Sequence, residues 1–197
     1  MSEAKRVIGV VSVSRSDYGH LTPVLHAIRD TPDLDLRLFV SGMHLSDDFG
    51  RTVGAIEADG WPIAERIAML EPGDTPEAVA ASAGRGVVGF ARAYTRQRPD
   101  LLVLLGDRFE MLAAAVAALP FALPVAHIHG GEASEGAMDN QIRHAITKLA
   151  HLHFASAPEH ACRIAAMGEE AWRIHTVGAP GLERLRTVAE HQSAAGV

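Results

Sequence analysis

A chain of 197 residues with 48% hydrophobic content is long enough to bury one substantial core, and a single domain is the expectation. The net charge of −6 offers no basic stripe to track a phosphate backbone, which argues against nucleic acid as a partner, although a local pair of arginines would still hold a small anion. A lone cysteine, Cys162, excludes an internal disulfide framework, and the absence of a membrane-length apolar run or a signal-peptide cleavage pattern makes the cytoplasm the expected location.

Residues 7–13 form a β-branched run, after which Leu21, Val24, Leu25 and Ile28 recur at helical spacing, so a strand, a turn and a helix are predicted. The turn, SRSDYGH, presents Arg15 and the N–H groups of an opening helix to phosphate or hydroxyl oxygens. With Gly19 alone it is neither a dinucleotide fingerprint nor a P-loop, and in the plainer reading Ser16 or Asp17 simply caps the helix. A second strand is expected over 36–40, followed by Ser41-Gly42-Met43-His44-Leu45, whose histidine either faces a crevice or is solvated. Residues 49–59 read as a helix closed by Gly60, and 63–67 as a short third strand. Asp74-Thr75-Pro76-Glu77 then supplies an N-cap, a proline for the first helical position and an acid for the first turn. The helix it opens carries Val79, Ala83, Val87, Phe90 and Tyr94 on one face and ends before Pro99.

The aliphatic run 101–105 is apolar on every side, as a central parallel strand requires. Gly106-Asp107-Arg108 follows it directly: Asp107 is a candidate base or hydroxyl acceptor and Arg108 an anion clamp, unless the two pair to cap the next helix. That helix is expected over 113–119 and the next strand over 125–128. Its end reads His127-Ile128-His129-Gly130-Gly131-Glu132, in which both histidines share a face while the glycines turn Glu132 back towards them. Two chemistries fit, a His-x-His metal site or a metal-free acid/base cluster. No second compact ligand pair follows at zinc spacing, so no metal is expected; the bland reading makes His127 a satisfied core residue. On the helix over 140–149, Asp139 and Arg143 are four apart, either a surface pair or the completion of a site. Strands over 152–155 and 174–177 flank a helix over 158–167, with His151 and His153 read as structural, and a last helix starts at 182. The alternation predicts an α/β fold, a Rossmann-like doubly wound parallel sheet. Ligands of such sheets sit beyond the carboxyl ends of the strands, so the stretch 103–146, with its charges at the seams of apolar runs, reads first as a site.

The segments Ser14-Arg15-Ser16-Asp17-Tyr18-Gly19, Ser41-Gly42-Met43-His44-Leu45, LLGDRFEML at 104–112, His127-Ile128-His129-Gly130-Gly131-Glu132 and IRHAITKL at 142–149 occur in one order along essentially the whole chain. Together they resemble the hydrolysing UDP-N-acetylglucosamine 2-epimerases of sialic acid biosynthesis. The resemblance implies conversion of UDP-N-acetylglucosamine and water to N-acetylmannosamine and UDP, without metal or redox cofactor, in a homo-oligomeric protein. It further implies a two-domain fold of the glycosyltransferase-B type, of which this chain is the N-terminal half. Residues 1–181 would be the Rossmann-like domain and 182–197 the start of a linker helix, with the C-terminal nucleotide-binding domain absent and the isolated half weakly active or inactive. By the same resemblance Asp107, Glu132 and Asp139 are acid/base candidates with His129 beside them, and which of them attacks C2 stays open. Arg15, Asp17, His44, Arg108 and Arg143 are the matching substrate-binding candidates. Three alternatives remain: a related epimerase acting on a 2,4-diacetamido sugar for legionaminic acid, a stand-alone nucleotide-sugar binding module, and a metal-dependent hydrolase built on His127, His129 and Glu132.

Overall fold

The computed structural model describes residues 4–134 and 138–182. The apolar runs become seven strands, β1 (Arg6–Ser12), β2 (Leu34–Ser41), β3 (Ile63–Ile67), β4 (Leu101–Leu105), β5 (Val125–Ile128), β6 (Leu152–Ala155) and β7 (Ile174–Thr176). All pair in parallel, in the order β3-β2-β1-β4-β5-β6-β7. Six α-helices separate them: α1 (Arg15–Asp30), α2 (Val53–Ala58), α3 (Pro76–Arg96), α4 (Phe109–Ala118), α5 (Asp139–Leu149) and α6 (Pro158–Ala166).

Strand β4 shows why the sheet must be covered on both faces. Leu102 and Leu104 enter a core shared with α3, α4 and α5, while Val103 and Leu105 enter a second core shared with α1 and α2. Alternate residues of one strand thus feed two apolar layers, and a continuous aliphatic run is the sequence that satisfies both. Strand order reverses between β1 and β4, so the chain leaves these two neighbours on opposite faces and a crevice opens beyond their carboxyl ends. The predicted doubly wound sheet is the observed one.

Local expectations differ at three places. The helix expected over 49–59 is only Val53–Ala58; a 3₁₀ turn at Asp47–Phe49 precedes it, and Gly50 (φ 74°) and Arg51 (φ 44°) are left-handed, which breaks helical continuity. Helix α1 is capped by Ser14, whose Oγ accepts from the Asp17 N–H at 3.4 Å, rather than by Ser16 or Asp17. Helix α4 starts at Phe109 instead of 113, which places Glu110 in its first turn. The expected linker helix, beyond Leu182, lies outside the described residues. Among the described residues, no helix is long and apolar enough to cross a membrane.

Candidate active site

Two corners of the sheet bring the charged residues together. After β4, Gly106 takes a left-handed conformation (φ 78°) and donates its N–H to the Ile128 carbonyl at 3.0 Å, which delivers Asp107 to the end of the sheet beside β5. After β5, His129 is itself left-handed (φ 63°), with its N–H on the Phe154 carbonyl at 3.1 Å. Gly131 (φ 75°) then passes so close to α6 that an added Cβ would lie 2.3 Å from the His160 carbonyl oxygen. Only glycine fits there, and the turn it permits returns Glu132 to His129.

Arg143, reaching in from α5, ties the two corners together. Its side chain is 6% exposed. Nη1 donates to the His129 carbonyl at 2.7 Å and stands 3.5 Å from Glu132 Oε2, while Nη2 donates to Ser134 Oγ at 2.9 Å and to the Asp107 carboxylate. One fork of donors therefore holds two carboxylates from the corners after different strands, a task for which guanidinium is suited and ammonium is not. The surface pair with Asp139 does not form: Asp139 is exposed at the first position of α5, outside this network, and Arg143 points inward. The anticipated Asp107–Arg108 pair is also absent, because each residue takes a different partner.

Glu132 receives a second set of donors. Its Oε1 lies 2.8 Å from His129 Nδ1 and accepts from Ser156 Oγ at 2.5 Å. Burial pushes its pKa up, but the hydrogen bonds from His129 and Ser156 and the charges of His129 and Arg143 outweigh that and hold it at about 2.

A second cluster occupies the crevice between β1 and β4. Asp17 is buried, and Arg108 Nε stands 3.7 Å from its Oδ1. Glu110, 1% exposed, lies nearby on the first turn of α4. Burial raises both carboxyl pKa values, with Arg108 opposing the shift in each case. Asp17 Oδ2 and Glu110 Oε2 have no hydrogen-bond partner. Arg15 is exposed at the first position of α1, on the same edge of the sheet.

Two of the histidines are buried and fully partnered. His127 is fully buried, with Nε2 donating to the Gly106 carbonyl at 2.8 Å and Nδ1 3.2 Å from Thr147 Oγ1. Both nitrogens are occupied, so His127 does not converge with His129 and the His-x-His metal pair is not formed. His44 is neither solvated nor turned to the crevice: it is buried, with Ser12 Oγ at 2.9 Å and Thr52 Oγ1 at 2.7 Å taking both nitrogens. As placed it anchors the 41–45 loop from behind. Burial lowers the pKa of His44 to about 4 and of His127 to about 3. Both stay neutral when folded and take up a proton near 6.5 once unfolded, so their contribution to stability is complete above pH 6.5 and is lost as pH falls towards 4 and 3. Urea unfolding of a His127→Gln variant should therefore show a stability slope shallower by about one proton between pH 6 and 4. An unchanged slope would show that His127 protonates alike in both states.

Glu110 belongs to the charged stretch 103–146 that reads first as a site, whereas Ser134, Ser156 and His160 join the Glu132 cluster without having been singled out. Ser156 directly follows β6, so the strand-end rule that found Asp107 would have found it; nothing in the sequence marks Ser134.

The family profile described as UDP-N-acetylglucosamine 2-epimerase matches residues 26–196. The chain belongs to this family. Over 180 residues it is 41% identical to the UDP-N,N'-diacetylbacillosamine 2-epimerase (hydrolyzing) of Legionella pneumophila, covering 91% of this chain and 48% of that protein. It is 37% identical over 180 residues to the UDP-N-acetylglucosamine 2-epimerase of Neisseria meningitidis, covering 91% of this chain and 46% of that one. The crystal structure of UDP-GlcNAc 2-epimerase from Neisseria meningitidis bound to UDP-GlcNAc superimposes with a TM-score of 0.78 at 15% identity, covering 97% of this chain and 54% of its own length, a likeness of fold. The chain spans about half the length of the curated relatives it matches and fits the N-terminal half of such an epimerase, a Rossmann-like unit of a glycosyltransferase-B-type fold.

Proposed function

We propose that the protein to which this chain contributes is a hydrolysing UDP-sugar 2-epimerase, converting UDP-N-acetylglucosamine and water to N-acetylmannosamine and UDP. The observation that carries the reading is the Asp107–Arg143–Glu132 network at the ends of β4 and β5, in a chain of this family. The reaction removes the proton on C2 as UDP leaves C1, then adds water across the resulting double bond, with a proton returning to C2. It needs a base, a proton donor and positive charge for the departing diphosphate.

Asp107 is the acceptor for the C2 proton, with Arg143 orienting it. Glu132, held as a carboxylate, serves as acceptor rather than donor. Asp17 and Glu110, whose pKa values burial raises, suit proton donation and hydrogen bonding to sugar hydroxyls. Arg15 and Arg108 supply charge for the diphosphate, and Asp139, exposed at the start of α5, completes the acid/base set from the solvent side. The nucleotide is held largely by the second domain, so this chain alone should release little or no UDP.

A second reading, with a 2,4-diacetamido sugar as substrate, is favoured by the 41% identity to the Legionella pneumophila enzyme against 37% to the Neisseria meningitidis one. Coupled assays of UDP release from both nucleotide sugars, with and without EDTA, test the scheme. Turnover of one of them that survives chelation is expected in the two-domain protein. Turnover abolished by EDTA and restored by a divalent ion would replace the scheme with a metal-dependent one, and release from neither sugar would leave a binding module.

A further inference from the structure

Behind Glu132, on the side away from Arg143, lies a chain of hydrogen bonds that the elimination and hydration scheme does not use. Ser156, at the end of β6, donates to Glu132 Oε1 at 2.5 Å, and its Oγ lies 2.9 Å from His160 Nδ1. His160 sits in the first turns of α6; its side chain is 22% exposed and that of Glu132 24%, so both ends of the chain are partly open. The distance from His160 Nδ1 to Glu132 Oε1 is 4.0 Å, which requires the hydroxyl between them. The geometry is braced: α6 closes on the turn at Gly131, against the His160 carbonyl, and Arg163 donates to the Gly131 carbonyl.

We propose that Ser156 and His160 form a proton relay that carries protons away from Glu132 on the side opposite Arg143. The inference rests on the acid/base role given to Glu132 above. When Glu132 Oε1 takes a proton from the reacting sugar or the attacking water, it passes that proton to Ser156 Oγ while the Ser156 hydroxyl proton moves to His160 Nδ1. Carboxylate and hydroxyl are restored, and the imidazolium gives a proton to water. The direction is downhill because imidazole is a far stronger base than a carboxyl group held this acidic. Glu132 is then a conduit rather than a store, ready for each new turnover. The charged and titratable groups facing His160 are Glu132, with His129 and Arg143 on that carboxylate, and Arg163 on its own helix.

The test compares Ser156→Ala, His160→Gln and Glu132→Gln in the two-domain protein. Glutamine at 160 keeps a polar partner for Ser156 but takes up no proton. Both relay variants should lose about 10- to 100-fold in kcat with KM and melting temperature near the parent. The parental rise of kcat with pH through the imidazole range should flatten in His160→Gln, since only neutral His160 accepts. A His160→Gln variant that keeps the parental pH profile overturns the relay, whatever its rate. If Glu132→Gln is impaired while both relay variants match the parent, the relay alone fails; if Glu132→Gln matches the parent, the role of Glu132 fails.

Discussion

Asp107→Asn in the two-domain protein should lower kcat by about 10²- to 10⁴-fold, the range lost when a positioned acid or base is removed. The substitution retains an oxygen for Ser134 and Arg143, which now hold the Asp107 carboxylate, so the corner between β4 and α4 keeps its shape. It removes only the ability to carry a proton and the negative charge. KM should therefore change little, and the melting temperature should stay within a few degrees of the parent. Steady-state UDP release with a thermal melt of the same preparation decides it. Turnover at the parental rate would transfer the role of base to another carboxylate, with Asp139 next to be examined.

Arg143→Met is expected to have the larger effect on stability. The guanidinium holds the His129 carbonyl, Ser134, Asp107 and Glu132 at once, and it is itself buried. Without it two carboxylates share a partly desolvated corner with no intervening positive charge. Breaking a buried pair from one side costs about 3–5 kcal/mol, because the remaining charge is left uncompensated. Glu132 loses one of the influences that hold its pKa near 2, so its pKa rises. The deficit should be full above the ordinary carboxylate range, where both groups are ionised, and shrink as pH falls through 4.5, where protonation relieves the repulsion. Urea unfolding at pH 7 and pH 4 measures this. A loss below about 1 kcal/mol at pH 7, the range of a surface pair, would show that the network relaxes without its centre. Arg143→Lys should recover only part of the loss, since an ammonium presents no planar fork.

Much of this was legible in the residues because its causes are local. The aliphatic run at 101–105 can only be a strand covered on both faces, and Thr75-Pro76 opens a helix by its own chemistry, Thr75 Oγ1 accepting from the Ala78 N–H at 3.2 Å. The strand-end rule predicts Asp107, His129 and Glu132 at the carboxyl edge of the sheet, where the structure has them. His127 illustrates the limit. One residue from the end of β5 and two from His129, it fitted a metal pair as well as a core residue, and the choice was made by Gly106 and Thr147, both 20 or more positions away.

By itself, then, the sequence determined the order of strands and helices, the doubly wound class and the edge of the sheet where the charged residues gather, because hydrophobic periodicity and turn residues act within a few positions. Tertiary structure alone decided partnership. Arg143 could have paired with Asp139 one turn away, yet it crosses to Asp107, 36 positions distant, because α5 packs its buried face against the corners of β4 and β5. Ser156 and His160 meet Glu132 only because β6 lies beside β5 and Gly131 lets α6 approach. The pKa of a carboxyl group follows such neighbours and its burial, neither of which is written in the residue or in its spacing.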